Sequence, residues 1–257
     1  MMIRYIPADP AGNLTAIVLS PVVAQDRAKI AAEMMTRCPE GFEQVGFADE
    51  ASLTGDLPTL CMMGGEFCGN ATRAFACYAA KVRRRGETRL AISVSGAREP
   101  VPVAVDLRQN YTYAQMPLPY ALEWISVNKQ KIPLVRMEGI DHALLLDAAP
   151  SPEAAERVLA AMPKQDARGV LFVQGRKMTP LVEVAATGTR VWESSCGSGT
   201  VALAWYLAQN LADGMHAFAF DEPGGRLEAR VAMRAGRAAQ IEMGGAVKLG
   251  EEAEIEL

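Results

Sequence analysis

The sequence predicts an α/β (α+β) fold of two pseudo-twofold-related domains, each with strands wrapped around one central buried helix. Three observations predict it. A Cys-Gly pair heads an apolar, alanine-rich run twice, at Cys68 and at Cys196, 128 positions apart in a chain of 257 residues. The match between the halves continues at a near-constant offset. The segments around both copies follow the same order.

Superposing Cys68 on Cys196 gives seven identities in thirteen positions, including Thr72 on Thr200 and Tyr78 on Tyr206. In the same register Gly86 falls on Gly214, Arg98 on Arg226, and Val103-Ala104 on Val231-Ala232. With a one-residue shift Met116 meets Met243, Ala16 meets Ala143 and Met35 meets Met162. Self-similarity at one long period reads as a duplication into two domains rather than a solenoid.

Each half opens on an apolar strand, "TAIVLS" or "HALLLD". A helix follows, "QDRAKIAAEMM" or "SPEAAERVLAAM"; in the second, Ser151 suits the N-cap and Pro152 the first turn. Short strands "QVGFAD" and "GVLFVQ" come next, then the Cys-Gly segment. The run after Cys68 ends in Arg83-Arg84-Arg85-Gly86, basic residues and a glycine of the kind that stop helices, and the run after Cys196 ends at Gly214. A helix apolar all round is a buried one. Strands follow each: "RLAISVS", "VPVAVDL" and "YTYAQM", then "AFAFDE", "RLEARVAM" and "AAQIEM". The Pro-rich "MPLPY" marks the crossover, and "AEIEL" reads as a final strand returning to the first domain. The predicted domains are therefore 1–115, completed by 249–257, and 116–248.

Half of the residues are hydrophobic, 22% are charged and the net charge is −4, so no basic surface points to nucleic acid. No stretch has the apolar length of a signal peptide or a membrane span, and a soluble cytoplasmic protein is expected. Five cysteines without a CxxC pair argue against a disulfide framework. Two histidines, His142 and His216, are too few for a His-rich zinc site. No metal and no cofactor is expected; the expected partner is a small amino-acid substrate, with a homodimer as the candidate assembly.

Chemistry concentrates at the two helix starts. Free N–H groups and the positive dipole end favour a thiolate there, and are expected to pull a thiol pKa below its usual value of about 8.5. The same N–H groups can hold a carboxylate. Gly69 and Gly197 let a ligand approach the backbone, and Asn70 and Ser198 add polar contacts. Two opposed thiols and two carboxylate-binding turns suit inversion at a carbon next to a carboxylate: one thiolate removes the α-proton and the other thiol delivers a proton to the opposite face. Cys38, Cys61 and Cys77 read as packing residues, Trp205 and Tyr206 as core aromatics, and His142 as a residue that packs or hydrogen-bonds at a strand start. An amino-acid-binding protein or a thiol-redox protein are the alternatives: the first would not need both thiols, and the second would use them as a reversible disulfide, with activity toward oxidants and none toward amino acids.

The motifs "AGNLTAIV" around Asn13, "GEFCGNAT" at Cys68, "ESSCGSGT" at Cys196 and "PGG" at 223–225 resemble the diaminopimelate epimerase superfamily, the cofactor-independent racemases with two cysteine bases, over essentially the whole chain. The resemblance implies a strand-rich barrel around each central helix, a site between the domains, and Cys68 and Cys196 as the bases. It extends the candidate substrate-binding set to Asn13, Glu43, Gln44 and Glu193. The diaminopimelate-gripping residues are missing: "LCMMGGEF" and "GIDHA" carry Met62, Met63 and Ile140 where asparagines are expected, and "WESSC" lacks an arginine. These residues offer an apolar wall instead. With "EQVGF" at 43–47 the chain resembles the histidine racemases that feed metallophore synthesis; by that resemblance Glu43 sits near the substrate side chain and accepts an imidazole N–H, with diaminopimelate or another amino acid as the alternative substrate.

Overall fold

The computed structural model describes residues 1–84, 86–185 and 188–257. Its contacts divide the chain into two units, Met1–Gln115 with Gly244–Leu257, and Met116–Met243. Arg85, the last residue of the basic run, lies outside the described residues.

The first unit contains β1 (Met2–Asp9), β2 (Thr15–Val18), α1 (Arg27–Arg37), β3 (Gln44–Ala48), β4 (Thr59–Met62), α2 (Gly69–Val82), β5 (Glu87–Val94), β6 (Val101–Asp106) and β7 (Tyr111–Gln115). β1 pairs antiparallel with β2, and β2 pairs parallel with β3 across the α1 crossover. β3–β4 is antiparallel, β4–β5 parallel across α2, and β5–β6–β7 antiparallel. Every residue of β2 is buried because the strand has a helix on each face. Ala16 and Val18 point into the α1 layer with Met34, Val45 and Phe47, and Ile17 into the α2 layer with Leu60, Phe75 and Ile92. This is period-two alternation with both faces apolar, so the sequence shows a continuous run rather than an alternating one. Full burial of a side chain such as Phe75 contributes about 1.5–3 kcal/mol.

The second unit contains β8 (Ala121–Val127), β9 (Gln130–Arg136), β10 (Ile140–Leu146), α3 (Pro152–Ala161), β11 (Ala167–Gln174), β12 (Lys177–Val184), β13 (Thr189–Trp192), α4 (Gly197–Ala208), β14 (Gly214–Glu222) and β15 (Gly225–Arg234). β10 and β11 are parallel across α3, the counterpart of β2–α1–β3. β8–β9–β10, β11–β12–β13 and β14–β15 are antiparallel. Ser151 caps α3 by accepting the Ala154 N–H at 3.2 Å, as its sequence suggests. Val158, Leu159, Val170 and Phe172 form the core under α3. β16 (Arg237–Ala246) runs into the C-terminal segment, where β17 (Lys248–Leu249) and β18 (Ala253–Glu256) pair antiparallel with β1. The contacts thus return to the first unit from Gly244, ahead of residue 249, because the backbone at Gly244 packs directly on the ring of Tyr113 and the Val247 N–H donates to the Asn110 carbonyl.

Both central helices stop earlier than the glycines at 86 and 214 suggest. α2 ends at Val82; Arg84 takes the left-handed conformation (φ 53°) and its N–H closes on the Lys81 carbonyl. α4 ends at Ala208, and Gly214 opens β14 instead. No helix of the described residues is long and apolar enough to cross a membrane.

Candidate active site

In the first unit, Cys68 is the N-cap of α2, in extended backbone (φ −126°, ψ 113°), and its Sγ accepts the Ala71 N–H at 3.4 Å. In the second, Cys196 is the N-cap of α4 (φ −124°, ψ 104°), and its Sγ accepts the Gly199 N–H at 3.4 Å. Each sulfur fills the place of an N-cap oxygen, so the duplicated sequence builds the same local geometry twice. At position 199 a Cβ would lie 2.9 Å from Leu171 Cδ2, so a side chain there requires the tip of Leu171 to shift. Position 71 holds alanine.

The expected fall in thiol pKa does not occur. Burial pushes both thiols up, and the helix amides only partly offset it. Cys196 is buried and Cys68 half-buried; a helix terminus is worth about 0.3–1 kcal/mol, and at both sulfurs desolvation is the larger effect. The Ala71 and Asn70 amides and the Gln44 side chain draw Cys68 down, while exposed Glu66 acts the other way. At Cys196 the carboxylates of Glu193 and Glu222 add to burial, against the Ser198 hydroxyl and the Gly199 amide.

The first unit gathers Asn13, Glu43 and Gln44 into one network. Ala11 (φ 68°) and Gly12 (φ 95°) are both left-handed, and the Gly12 N–H donates to Asp9 Oδ1 at 2.5 Å, which turns Asn13 inward. Asn13 Nδ2 donates to Glu43 Oε2 at 2.8 Å, and Gln44 Nε2 donates to Asn13 Oδ1 at 2.6 Å and Thr15 Oγ1 at 2.8 Å. Asn13 and Gln44 are buried and Glu43 is exposed. Asn70 Oδ1 accepts from Arg73 Nη2 at 3.0 Å. Arg73, fully buried, also donates to Thr112 Oγ1 and to the Gly245 and Pro10 carbonyls. Met62 forms no substrate wall, since it is 1% exposed within the α2 core, and Met63 packs against the α1 core. Ile140 is half-buried at the start of β10.

In the second unit Ser198 Oγ lies 3.4 Å from Cys196 Sγ and 2.9 Å from His142 Nε2. His142 is fully buried, and desolvation lowers its pKa to about 3, so the ring is neutral. Glu222 is buried; its Oε2 accepts the Cys196 N–H and its Oε1 the Thr200 hydroxyl, both at 2.6 Å. The "PGG" motif turns β14 into β15 next to Glu222, and the Gly224 N–H donates to the Ser194 carbonyl at 2.7 Å. Glu193 and Gly197 are half-buried beside the cysteine. Sequence reasoning missed Glu222, His142 as a partner of Ser198, and Arg73. The available signal was a buried-type position carrying a polar residue: Glu222 falls on Val94 in the duplicated register, and Arg73 on Val201.

Among the other residues, Cys77 and Cys38 are buried, but Cys61 is half-exposed, and Trp205 and Tyr206 are half-buried because the end of α4 nears the surface. No group of three or more His, Cys, Asp or Glu among the described residues could hold a metal ion.

The fold matches a Bacillus anthracis phenazine biosynthesis protein of the PhzF family (TM-score 0.72, 15% identity, all of both chains) and a probable proline racemase from Agrobacterium radiobacter K84 (TM-score 0.68, 13% identity, 99% of this chain and 93% of that one). The family described as "Histidine racemase CntK N-terminal domain" matches residues 2–255. A histidine racemase of Fusobacterium nucleatum is 31% identical over 221 residues, 80% of this chain and 81% of its own length. One from Staphylococcus aureus is 27% identical over 239 residues, 88% and 87% of the two chains. The chain belongs to the histidine racemase family and is an isomerase, a racemase.

Proposed function

We propose that this protein racemises histidine by two-base proton transfer, with Cys68 and Cys196 as the bases and no cofactor. The observation that carries this reading is the twin N-cap geometry: two thiols, each 3.4 Å from the N–H of the third residue on, at equivalent positions of a duplicated chain. In the reaction, the thiolate of one cysteine takes the α-proton and the thiol of the other gives its proton to the opposite face. The amides of Gly69 and Asn70, and of Gly197 and Ser198, are the candidate donors to the substrate carboxylate. The raised thiol pKa values suit this chemistry. A desolvated thiolate is a stronger base toward a weak carbon acid, and the substrate ammonium brings the positive charge that favours its formation.

The histidine assignment is supported by the family match and by Glu43, whose carboxylate is oriented by Asn13 and can accept an imidazole N–H. The two units correspond in this reading to two racemase halves at 1–115 and 116–248, completed by the C-terminal strand. The five free thiols fit the reducing cytoplasm, and supply of D-histidine for a metallophore is the use that the resemblance implies.

The test is α-proton exchange in D₂O followed by NMR, with histidine, diaminopimelate and the common L-amino acids, before and after dialysis against a chelator. Histidine should exchange fastest and dialysis should change nothing. Faster turnover of diaminopimelate would overturn the substrate assignment, and loss of activity on dialysis the cofactor independence.

A further inference from the structure

We propose that Glu222 makes the two bases unequal: its carboxylate, held by the Cys196 amide and the Thr200 hydroxyl, keeps Cys196 as the thiol in the substrate-free enzyme, so that Cys68 is the first of the two to ionise. The inference rests on the two-thiol reading and adds to it which cysteine starts as base and which as acid.

The helix starts are twins in backbone and sulfur geometry but differ in what stands behind them. At α4, Glu222 reaches in from the end of β14 and accepts two hydrogen bonds of 2.6 Å, one from the N–H of Cys196 itself. With both oxygens accepting, the arrangement fits the ionised carboxylate, and bonds this short are typical of charged acceptors. At α2, the equivalent position is Val94, buried in the apolar core, and Thr72 turns its hydroxyl to the Cys68 carbonyl at 2.7 Å. Among the described residues no carboxylate is bonded there as Glu222 is to Cys196.

Of the remaining polar groups, Glu193 acts with Glu222 against ionisation of Cys196 and Gln44 favours that of Cys68, while Ser198 and Glu66 act the other way. Cys196 faces Glu193 from the segment before α4, Glu222 from β14 and Ser198 from the first turn of α4; His142 of β10 stands behind Ser198 and is uncharged. Cys68 faces the Gln44 side chain from β3, the amides of α2 and the exposed Glu66. A buried negative charge beside a thiol disfavours a second one, whereas an amide donor favours it. In a turnover begun from this state, the Cys68 thiolate takes the α-proton and the Cys196 thiol protonates the opposite face. That leaves a Cys68 thiol and a Cys196 thiolate, and a proton must pass from Cys68 back to Cys196 before the same enantiomer can react again. An L-to-D equilibrium constant of one forces equal kcat/KM in the two directions, so the inequality shows in thiol ionisation rather than in that ratio.

The test uses the full-length, substrate-free protein and Glu222→Gln. Glutamine keeps the shape. Its carbonyl can accept the Cys196 N–H and its amide can donate to Thr200, whose proton then turns to the Cys196 carbonyl as that of Thr72 does to Cys68. Iodoacetamide labelling of each cysteine is followed by peptide mass spectrometry across the pH range. Access sets the plateau rate, and ionisation sets the pH midpoint. The midpoint of Cys196 should lie above that of Cys68 in the wild type. It should fall by about one pH unit or more in the variant, a tenfold or larger gain in thiolate below the midpoint, while that of Cys68 stays. A Cys196 midpoint that does not move, or both midpoints moving together, overturns the proposal. If the variant does not fold, the wild-type order alone decides: a Cys196 midpoint at or below that of Cys68 overturns it. Labelling needs no turnover, so a wild-type protein that exchanges no α-proton counts against the racemisation mechanism and leaves the thiol order to be read separately.

Discussion

His142 Nε2 lies 2.9 Å from Ser198 Oγ, and that hydroxyl lies 3.4 Å from Cys196 Sγ. A neutral, fully buried imidazole therefore fixes a hydroxyl beside a proposed base. Gly169 leaves the room: a Cβ there would come within 2.1 Å of the ring at Nδ1.

This gives a pH prediction. The folded-state pKa of His142, about 3, is below its unfolded value of about 6.5. Between these values the unfolded chain binds the extra proton, so stability is fully present above about pH 6.5 and is lost as pH falls toward 3. At pH 4.5 the loss from this group is roughly 2–3 kcal/mol. The His142 imidazole resonances should hold their neutral positions from pH 8 to 5 in NMR titration, and the denaturant midpoint of His142→Gln should fall less steeply with acid than that of the wild type. A His142 transition near pH 6.5 would contradict the burial argument.

Cys68→Ala and Cys196→Ala should each abolish racemisation, since each removes one of the two proton carriers. Cys38→Ala and Cys77→Ala should keep the rate within several-fold, because these thiols only pack. Circular dichroism should show all four folded. Near-full activity in either of the first two variants would end the two-base mechanism.

Glu43→Ala should discriminate against histidine in particular. Its carboxylate is exposed and oriented by Asn13, so the variant should lose little stability. Relative to an apolar amino acid, kcat/KM for histidine should fall by about 1–3 kcal/mol in free-energy terms, the cost of leaving the ring N–H unpaired. An equal fall for both substrates would place Glu43 away from the side chain.

Arg73→Met should destabilise the first unit. Four acceptors, on Asn70, Thr112, Gly245 and Pro10, lose one buried donor group at once. The expected loss is at least ~2 kcal/mol in chemical denaturation. A loss below about 1 kcal/mol would show that these acceptors find other partners.

The repeated Cys-Gly run, the apolar character of α2 and α4, the Ser151 cap and most of the strands were legible in the sequence, because period and end signals are local properties. The same local matching pointed to the N-cap sites of Cys68 and Cys196. β1, β4, β8, β9, β12, β13 and β17 were not singled out. β4 is only Thr59–Met62, and β8 is exposed over much of its length, so neither shows a clear apolar pattern. Met62 reads as an apolar wall in the sequence but belongs to the core, because one residue of register decides which face of a strand it lies on. Tertiary structure alone decided the sign of the thiol pKa shifts, since a helix terminus is written in the local sequence whereas desolvation depends on everything packed around the sulfur. It alone brought Glu222 to Cys196 and His142 to Ser198, at separations of 26 and 56 residues, where no local pattern records the contact.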